Sequence, residues 1–418
     1  MADMRNLFLS MIQTGCNKML SDTDFIKSIE EEKFDVVFLH HYDLCPYAVA
    51  HLAKIPKTVL SISSSAIEML TRIHGHLNPP SLVPSLLGNY SSQMTFFERV
   101  HNFGIGLGME IMTYFYERNY QKFFEKKFGS GFPDIRNLIR KSKLIFINDF
   151  EFLDYPRPTL SKIVNIGGLG MAVDEPVEGE FKNFIENSPN PTVVVSLGTV
   201  TDPKYVPKKW KLEFIDFFKK NPKINFIWKF EDSEITVPDN VLMKKWIPQI
   251  SILCDKKTVG FVSHCGYNGL QESIFAGIPV LCVPLFADQP RNSKLAEFRG
   301  FGKFISKNSF NSDVLTRELE EIIQNSSYKK SALYLKSLIK SRPFNSSELL
   351  LRWTKFTIEN DFDFTPSEIN IVQFYHLDFL LPFGFFVFCF SYIILKSIFK
   401  LYYWSCCTMA FKEKQKLQ

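Results

Sequence analysis

Seven short apolar runs constrain the fold most: "FDVVFLH" (34–40), "KTVLSI" (57–62), "KLIFIN" (143–148), "TVVVSLG" (192–198), "INFIWKF" (224–230), "TVGFVS" (258–263) and "PVLCVPL" (279–285). Stretches with helical spacing separate them, for example "PKKWKLEFIDFFKK" (207–220). A strand buried on both faces reads as an unbroken apolar run, and alternation with helices implies parallel sheets covered on both sides. The fold class is therefore α/β.

The runs form two groups. They divide at "NIGGLGMAVDEPVEGE" (165–180), where glycines, a proline and acidic residues mark an interdomain linker. The second group suffices for a doubly wound domain. The first opens partway through its own winding, because a single helical stretch precedes residue 34. Between the first group's strands, the interval from about 65 to 140, rich in aromatics ("MTFFERVHNFGIGLGMEIMTYFYERNYQKFF"), predicts two or more helices whose apolar faces pack as an ordinary helical core or else line a greasy pocket.

At 418 residues, 45% hydrophobic and 22% charged, the chain has material for two domains and an appendage. Its net charge of +5 is spread along the sequence, so no nucleic-acid partner is expected. Eight cysteines without a C-x-x-C describe neither a disulfide scaffold nor a zinc site, and no metal is expected. The C-terminal "FLLPFGFFVFCFSYIIL" (379–395) carries no charge and would span roughly 26 Å as a helix, enough for a membrane. Lys396 and Lys400 can snorkel, Tyr402, Tyr403 and Trp404 supply an interfacial belt, and Lys412, Lys414 and Lys416 point to a cytosolic tail. The bulk then lies across the membrane, in keeping with sequons at Asn89, Asn325 and Asn345. The alternative is a buried core helix. "MADMRNLFLSMIQTGCNKML" lacks the apolar core of an entry signal, so the chain is expected to lack its front.

"SHCGYNGLQES" (263–273) holds the chemistry. Strand "TVGFV" ends at Ser263 and a helix is expected from about Asn268, which makes His264 to Gly266 the turn at the carboxyl end of a parallel strand, where doubly wound folds bind ligands. Gly266 permits close approach of a ligand to the backbone, and the helix N-terminus favours a phosphate or diphosphate. Neither a P-loop nor a complete dinucleotide fingerprint is present; "GLGMAV" (168–173) lacks the third glycine. Glu272 lies one turn below Asn268 and can accept two ribose hydroxyls. Trp246 in "KKWIPQI" offers a stacking face, Gln249 a base or ribose contact, and Asp288 with Gln289 in "PLFADQPRN" can hold sugar hydroxyls, unless they merely cap a helix.

"WIPQ" followed by "GFVSHCGYNGLQESIFAGIPVLCVPLFADQPRNS" closely resembles the donor-sugar signature of UDP-glycosyltransferases, the membrane-anchored UDP-glucuronosyltransferases in particular. "VVVSLGTV", "IGGLG" and "FDVVFLHHYDLCPYAVAHLAKIP" resemble further parts of that family. The resemblance implies a GT-B fold of two Rossmann-like domains, the first incomplete here, plus a C-terminal transmembrane helix. Expected bounds are 1–165 for a partial acceptor-binding domain, 166–350 for a UDP-sugar domain, 351–376 for a returning helix and juxtamembrane segment, 377–404 for the membrane helix and 405–418 for the tail. By position, Trp246 would stack on uracil and Gln249 and Glu272 would hold uridine. Thr199, His264, Gly266 and Asn268 would lie along the diphosphate, Asp288 and Gln289 would bind the sugar, and Ser196 and Gly269 would also belong to the donor site.

The implied reaction is inverting transfer of a sugar, glucuronic acid first, from a UDP-sugar to a hydroxyl of a small lipophilic acceptor, a detoxification chemistry with no cofactor. The implied setting is the endoplasmic reticulum membrane, with the bulk lumenal and glycosylated; "KQKLQ" resembles a K-x-K-x-x retrieval signal. One part departs from the family. The family's general-base histidine falls before this chain's start, and its acidic partner's position is His40, with Asp43 three residues on. His40 or His41 could stand in as the base. The alternative is a catalytically deficient form that binds UDP-sugar or associates, as homo- or hetero-oligomer, with full-length relatives.

Overall fold

The structure is a computed structural model that describes residues 14–40, 42–65, 69–76, 78–171, 175–199, 206–365, 371–374 and 376–416. One compact unit runs from Met1 to Thr365 and a second from Pro366 to Gln418. The expectations for residues 1–13 and for His41 fall outside the described residues.

In chain order the first unit opens with α1 (Thr23–Glu31), β1 (Val37–His40), α2 (Cys45–Leu52), β2 (Thr58–Ile62), α3 (Met69–His74), α4 (Phe96–Phe128), α5 (Ile135–Arg140), β3 (Leu144–Ile147) and β4 (Ile163–Asn165). It continues with α6 (Gly179–Glu186), β5 (Thr192–Ser196), α7 (Lys208–Lys220), β6 (Asn225–Lys229), β7 (Val241–Lys244), α8 (Gln249–Cys254) and β8 (Thr258–Ser263). Then come α9 (Tyr267–Ala276), β9 (Val280–Cys282), α10 (Gln289–Phe298), β10 (Gly302–Phe304), α11 (Ser312–Gln324), α12 (Ser326–Lys340) and α13 (Ser346–Glu359).

The strands form two parallel sheets, a four-stranded one ordered β1-β2-β3-β4 and a six-stranded one ordered β10-β9-β8-β5-β6-β7. Alternation along each central strand feeds two cores. In β5, Val194 joins one apolar cluster while Val193 and Val195 join the other; in β6, Ile227 opposes Phe226 and Trp228. Each such fully buried side chain contributes about 1.5–3 kcal/mol, which explains why these strands carry no polar face. The smaller sheet repeats the pattern, with Leu144 and Phe146 of β3 on one side and Ile145 and Ile147 on the other.

α13 returns to the smaller sheet. Leu349, Leu350 and Trp353 pack on the cluster of Val59, Leu144 and Phe146. Lys57 Nζ donates to the carbonyls of Thr357, Ile358 and Asn360 at 2.8, 2.8 and 3.1 Å, closing the end of α13 where its carbonyls lack helical partners.

The aromatic interval holds α3, α4 and α5, as expected of two or more helices, and the 33-residue α4 is held at its start by a capping box between Thr95 and Glu98. Four cysteines pair, Cys16 with Cys45 and Cys265 with Cys282. Their sequence separations of 29 and 17 carry no framework pattern, so the pairs arise only from strand and helix placement.

The second unit contains α14 (Ile371–Phe374) and α15 (Leu377–Lys416). Within α15, Leu377–Trp404 is long and apolar enough to cross a membrane, and none of its apolar window is buried. The side chains of 405–418, including the lysines of the tail, lie outside the described residues.

Candidate active site

The six-stranded sheet reverses its winding at β5, which has β8 on one side and β6 on the other. Loops leaving two such strands at their carboxyl ends diverge and open a crevice. A cavity of about 660 Å³ lies there, and every residue picked from the sequence as sugar-donor binding lines it: Ser196, Thr199, Trp246, Gln249, His264, Gly266, Asn268, Gly269, Glu272, Asp288 and Gln289. From the smaller sheet, Tyr42 after β1 and Ser63 and Ser64 after β2 line it as well.

His264 is the pivot of the turn. Its amide donates to Ser196 O at 3.3 Å, tying the end of β8 to the end of β5. A Cβ on Gly198 or on Gly266 would stand 2.7 Å from His264 Nε2, so both glycines make room for the imidazole. Burial lowers the His264 pKa to about 4, and the ring is neutral near pH 7. Its Nδ1 is buried with no protein partner.

Cys265 has φ +59, a left-handed conformation that suits glycine, and its bond to Cys282 of β9 holds it there. α9 begins after Gly266 with no side-chain cap, which leaves its first-turn amides open. Across the crevice, Asn148 Nδ2 donates to Asn268 Oδ1 at 3.0 Å and Tyr267 donates to Asp149, joining α9 to the end of β3.

On the β6 side, the indole of Trp246 is 68% exposed, a large aromatic face presented to the cavity. Lys229 Nζ stands 4.5 Å from its centroid and donates to Thr199 Oγ1 at 2.8 Å. Gln249 donates to the Glu272 carboxylate. Burial raises the pKa of Glu272, opposed by that hydrogen bond and by Lys229.

On the α10 side, Asp288 occupies the N-cap position yet makes no cap bond. Its Oδ2 accepts from Asn292 Nδ2 at 2.7 Å, and the same amide group reaches Cys265 O at 3.2 Å. Gln289 Oε1 accepts from the amides of Leu285 and Phe286 at 2.7 and 3.1 Å, clamping the loop. The helix-cap reading thus fails for the Asp288 side chain. Burial raises the pKa of Tyr42, with Asp288 adding to it through space and Ser63 and Ser64 opposing it by hydrogen bonds, so the two sheets meet at this point.

His40 is not among the lining residues. Its Nδ1 accepts the Tyr42 amide at 3.2 Å and its ring stacks on Tyr42 at 4.3 Å. With Nδ1 as acceptor the neutral ring bears its proton on Nε2 and presents a donor rather than a lone pair. Asp43 is turned elsewhere, accepting from Cys45 N at 2.9 Å and Tyr120 OH at 3.0 Å. The sequence reading overlooked Lys229, Tyr42, Ser63 and Ser64. All follow or close a strand at its carboxyl end, and Lys229 ends an otherwise apolar run, which is the available signal.

A family model described as UDP-glucoronosyl and UDP-glucosyl transferase matches residues 1–416. A putative UDP-glucuronosyltransferase of Caenorhabditis elegans, ugt-47, is 28% identical over 94% of this chain and 75% of its own length. UDP-glucuronosyltransferase 1A4 of Oryctolagus cuniculus is 31% identical over 85% of this chain and 67% of its own. Among solved structures, a Polygonum tinctorium UDP-glucosyltransferase that glucosylates indoxyl has a TM-score of 0.59 at 17% identity, covering 85% of this chain and 82% of that one. Os79 from O. sativa, in complex with U2F and trichothecene, also reaches 0.59 at 18% identity, covering 83% and 81%. At such identities these two likenesses speak for the fold.

Proposed function

Because this chain belongs to the UDP-glucuronosyl and UDP-glucosyl transferase family and has the family's GT-B fold, we propose that it transfers glucuronic acid from UDP-glucuronic acid to a hydroxyl of a small lipophilic acceptor, inverting the anomeric carbon. It is a glycosyltransferase whose UDP-sugar is a co-substrate, and the family requires no cofactor. The observation that carries the finer reading is the convergence, at one strand-reversal crevice, of an exposed tryptophan face, a buried carboxylate one turn into α9, an uncapped helix N-terminus and the Asp288-Gln289 loop. In that order they suit uracil, ribose, diphosphate and sugar. The acceptor hydroxyl oxygen attacks the anomeric carbon and releases its proton to water, the bond from that carbon to the diphosphate oxygen breaks, and UDP departs as an anion. The α9 amides and a neutral His264 can donate hydrogen bonds to that developing charge. The names of the relatives favour glucuronic acid over glucose.

The membrane-length helix supports a single-pass anchor, with the bulk lumenal in the endoplasmic reticulum and the tail cytosolic. Two disulfides in the first unit suit an oxidising compartment. A second reading, donor binding without transfer, alone or alongside relatives, draws on one observation: His40 offers no free ring lone pair toward the cavity. One experiment separates the two. Binding of radiolabelled UDP-glucuronic acid and UDP-glucose to the chain in detergent is followed by transfer to a panel of phenols. Preferred binding and transfer of glucuronate is expected; binding without transfer selects the second reading, and preference for glucose removes the donor assignment.

A further inference from the structure

Among the described residues that line the cavity, Lys229 is the one lysine or arginine, and it shares that lining with the carboxylates of Glu175, Glu272 and Asp288. A diphosphate entering there adds at least two negative charges, while a helix N-terminus offers only about half a positive charge. Lys229 is the last residue of β6, next to the reversal point, and its Nζ is 2.8 Å from Thr199 Oγ1, in the loop beside the Gly198–His264 wedge. That contact sets the ammonium at the edge of the turn where the diphosphate would lie. Its other contact, 4.5 Å over the Trp246 ring, covers the face a uracil would stack upon. A bound UDP removes the second contact and leaves the ammonium free to turn to the phosphates. Burial lowers the Lys229 pKa and the nearby Glu272 carboxylate opposes that, so the group is a partly desolvated cation whose charge acts strongly at short range. Resting on the UDP-sugar reading above, we propose that Lys229 is the counter-ion of the diphosphate and guards the Trp246 face until the base displaces it.

The test is calorimetric titration of the full chain in detergent micelles with UDP and, separately, with uridine, which has the same base and ribose and no phosphate. Lys229→Met should weaken UDP roughly ten- to hundred-fold, the range for losing a charge-assisted hydrogen bond, and leave uridine as tight as before or tighter. Lys229→Arg should keep UDP within about threefold, since it preserves the charge. Unchanged UDP affinity in the methionine variant overturns the assignment. Equal losses for UDP and uridine also overturn it, because they make the lysine a support for Trp246. A wild-type chain that binds neither ligand sinks the UDP-sugar reading itself, and the lysine assignment with it.

Discussion

The ends of β5, β6 and β8 differ from the ends of β1 and β2, although both sets open on one cavity. On the larger sheet, polar groups hold one another across space a ligand could take: Gln249 on Glu272, Lys229 on Thr199 and Trp246, His264 wedged between two glycines. On the smaller sheet they are engaged away from the cavity, His40 with the Tyr42 amide and Asp43 with Cys45 N and with Tyr120 OH of α4. Under the proposed function, binding a sugar donor and activating an acceptor would be separable properties of the fold, the first resting on the turn after β8 and its neighbours. The second needs a group with an available lone pair, which His40, among the described residues, does not present.

The sharpest way to break this contrast is Glu272→Ala. Losing two charge-assisted hydrogen bonds to ribose should weaken UDP-glucuronic acid by about 3 kcal/mol, roughly a hundred-fold. Undiminished binding by calorimetry would remove the uridine assignment and the contrast with it.

Acid comes next. The folded chain keeps His264 neutral down to about pH 4, whereas the unfolded ring takes a proton near the ordinary 6.5. Its contribution to stability is therefore present above pH 6.5 and is lost as pH falls toward 4. Between pH 7 and 4 the wild type should lose about 1–3 kcal/mol more than His264→Asn, allowing for the ring's residual exposure. Comparing the two chains cancels buried His76, also lowered to about 4, and Asp149, which burial and the nearby Asp154 raise to about 8. Parallel denaturation curves across that range would show that the wedge does not hold His264 in its buried state.

A smaller effect is expected of Gly198→Ala, which puts a side chain at φ +88 and a Cβ 2.7 Å from His264 Nε2. About 1–2 kcal/mol of stability should go, together with some UDP affinity. An equally stable variant in thermal unfolding would mean that the imidazole moves aside freely.

The same contrast governs what was legible beforehand. Each of the seven apolar runs contains a strand, but β4, β7 and β10 went unseen. All three are sheet edges of three or four residues, where one flank lacks a partner strand and no unbroken apolar run is required. That the residues proposed to bind the sugar donor share one crevice was readable because a strand, a tight turn and a helix N-terminus are contiguous in sequence, so His264 to Glu272 carry their geometry with them. What depends on distant segments was not readable: Lys229 over Trp246, Tyr42 near Asp288, and Cys265 bonded to Cys282. In the aromatic interval, α4 runs on through the glycines at 104, 106 and 108 because it packs through Met109, Thr113, Tyr120 and Phe124.

The smallest expected effect is the most pointed test of the smaller sheet. His40→Ala removes a ring whose Nδ1 accepts a backbone amide 3.2 Å away, and whose pKa is lowered by burial. Donor affinity should stay within about twofold, because His40 does not line the cavity. A general base contributes about 10²–10⁴ in rate, whereas a ring whose neutral form presents Nε2–H must first release Tyr42 before it can accept a proton at Nδ1. Transfer, measured with a phenol acceptor at saturating donor, should therefore change less than tenfold. A loss of a hundred-fold or more at unchanged donor affinity would show that the loop after β1 rearranges when acceptor binds. The separation between the two sheets would then be a property of the unliganded chain alone.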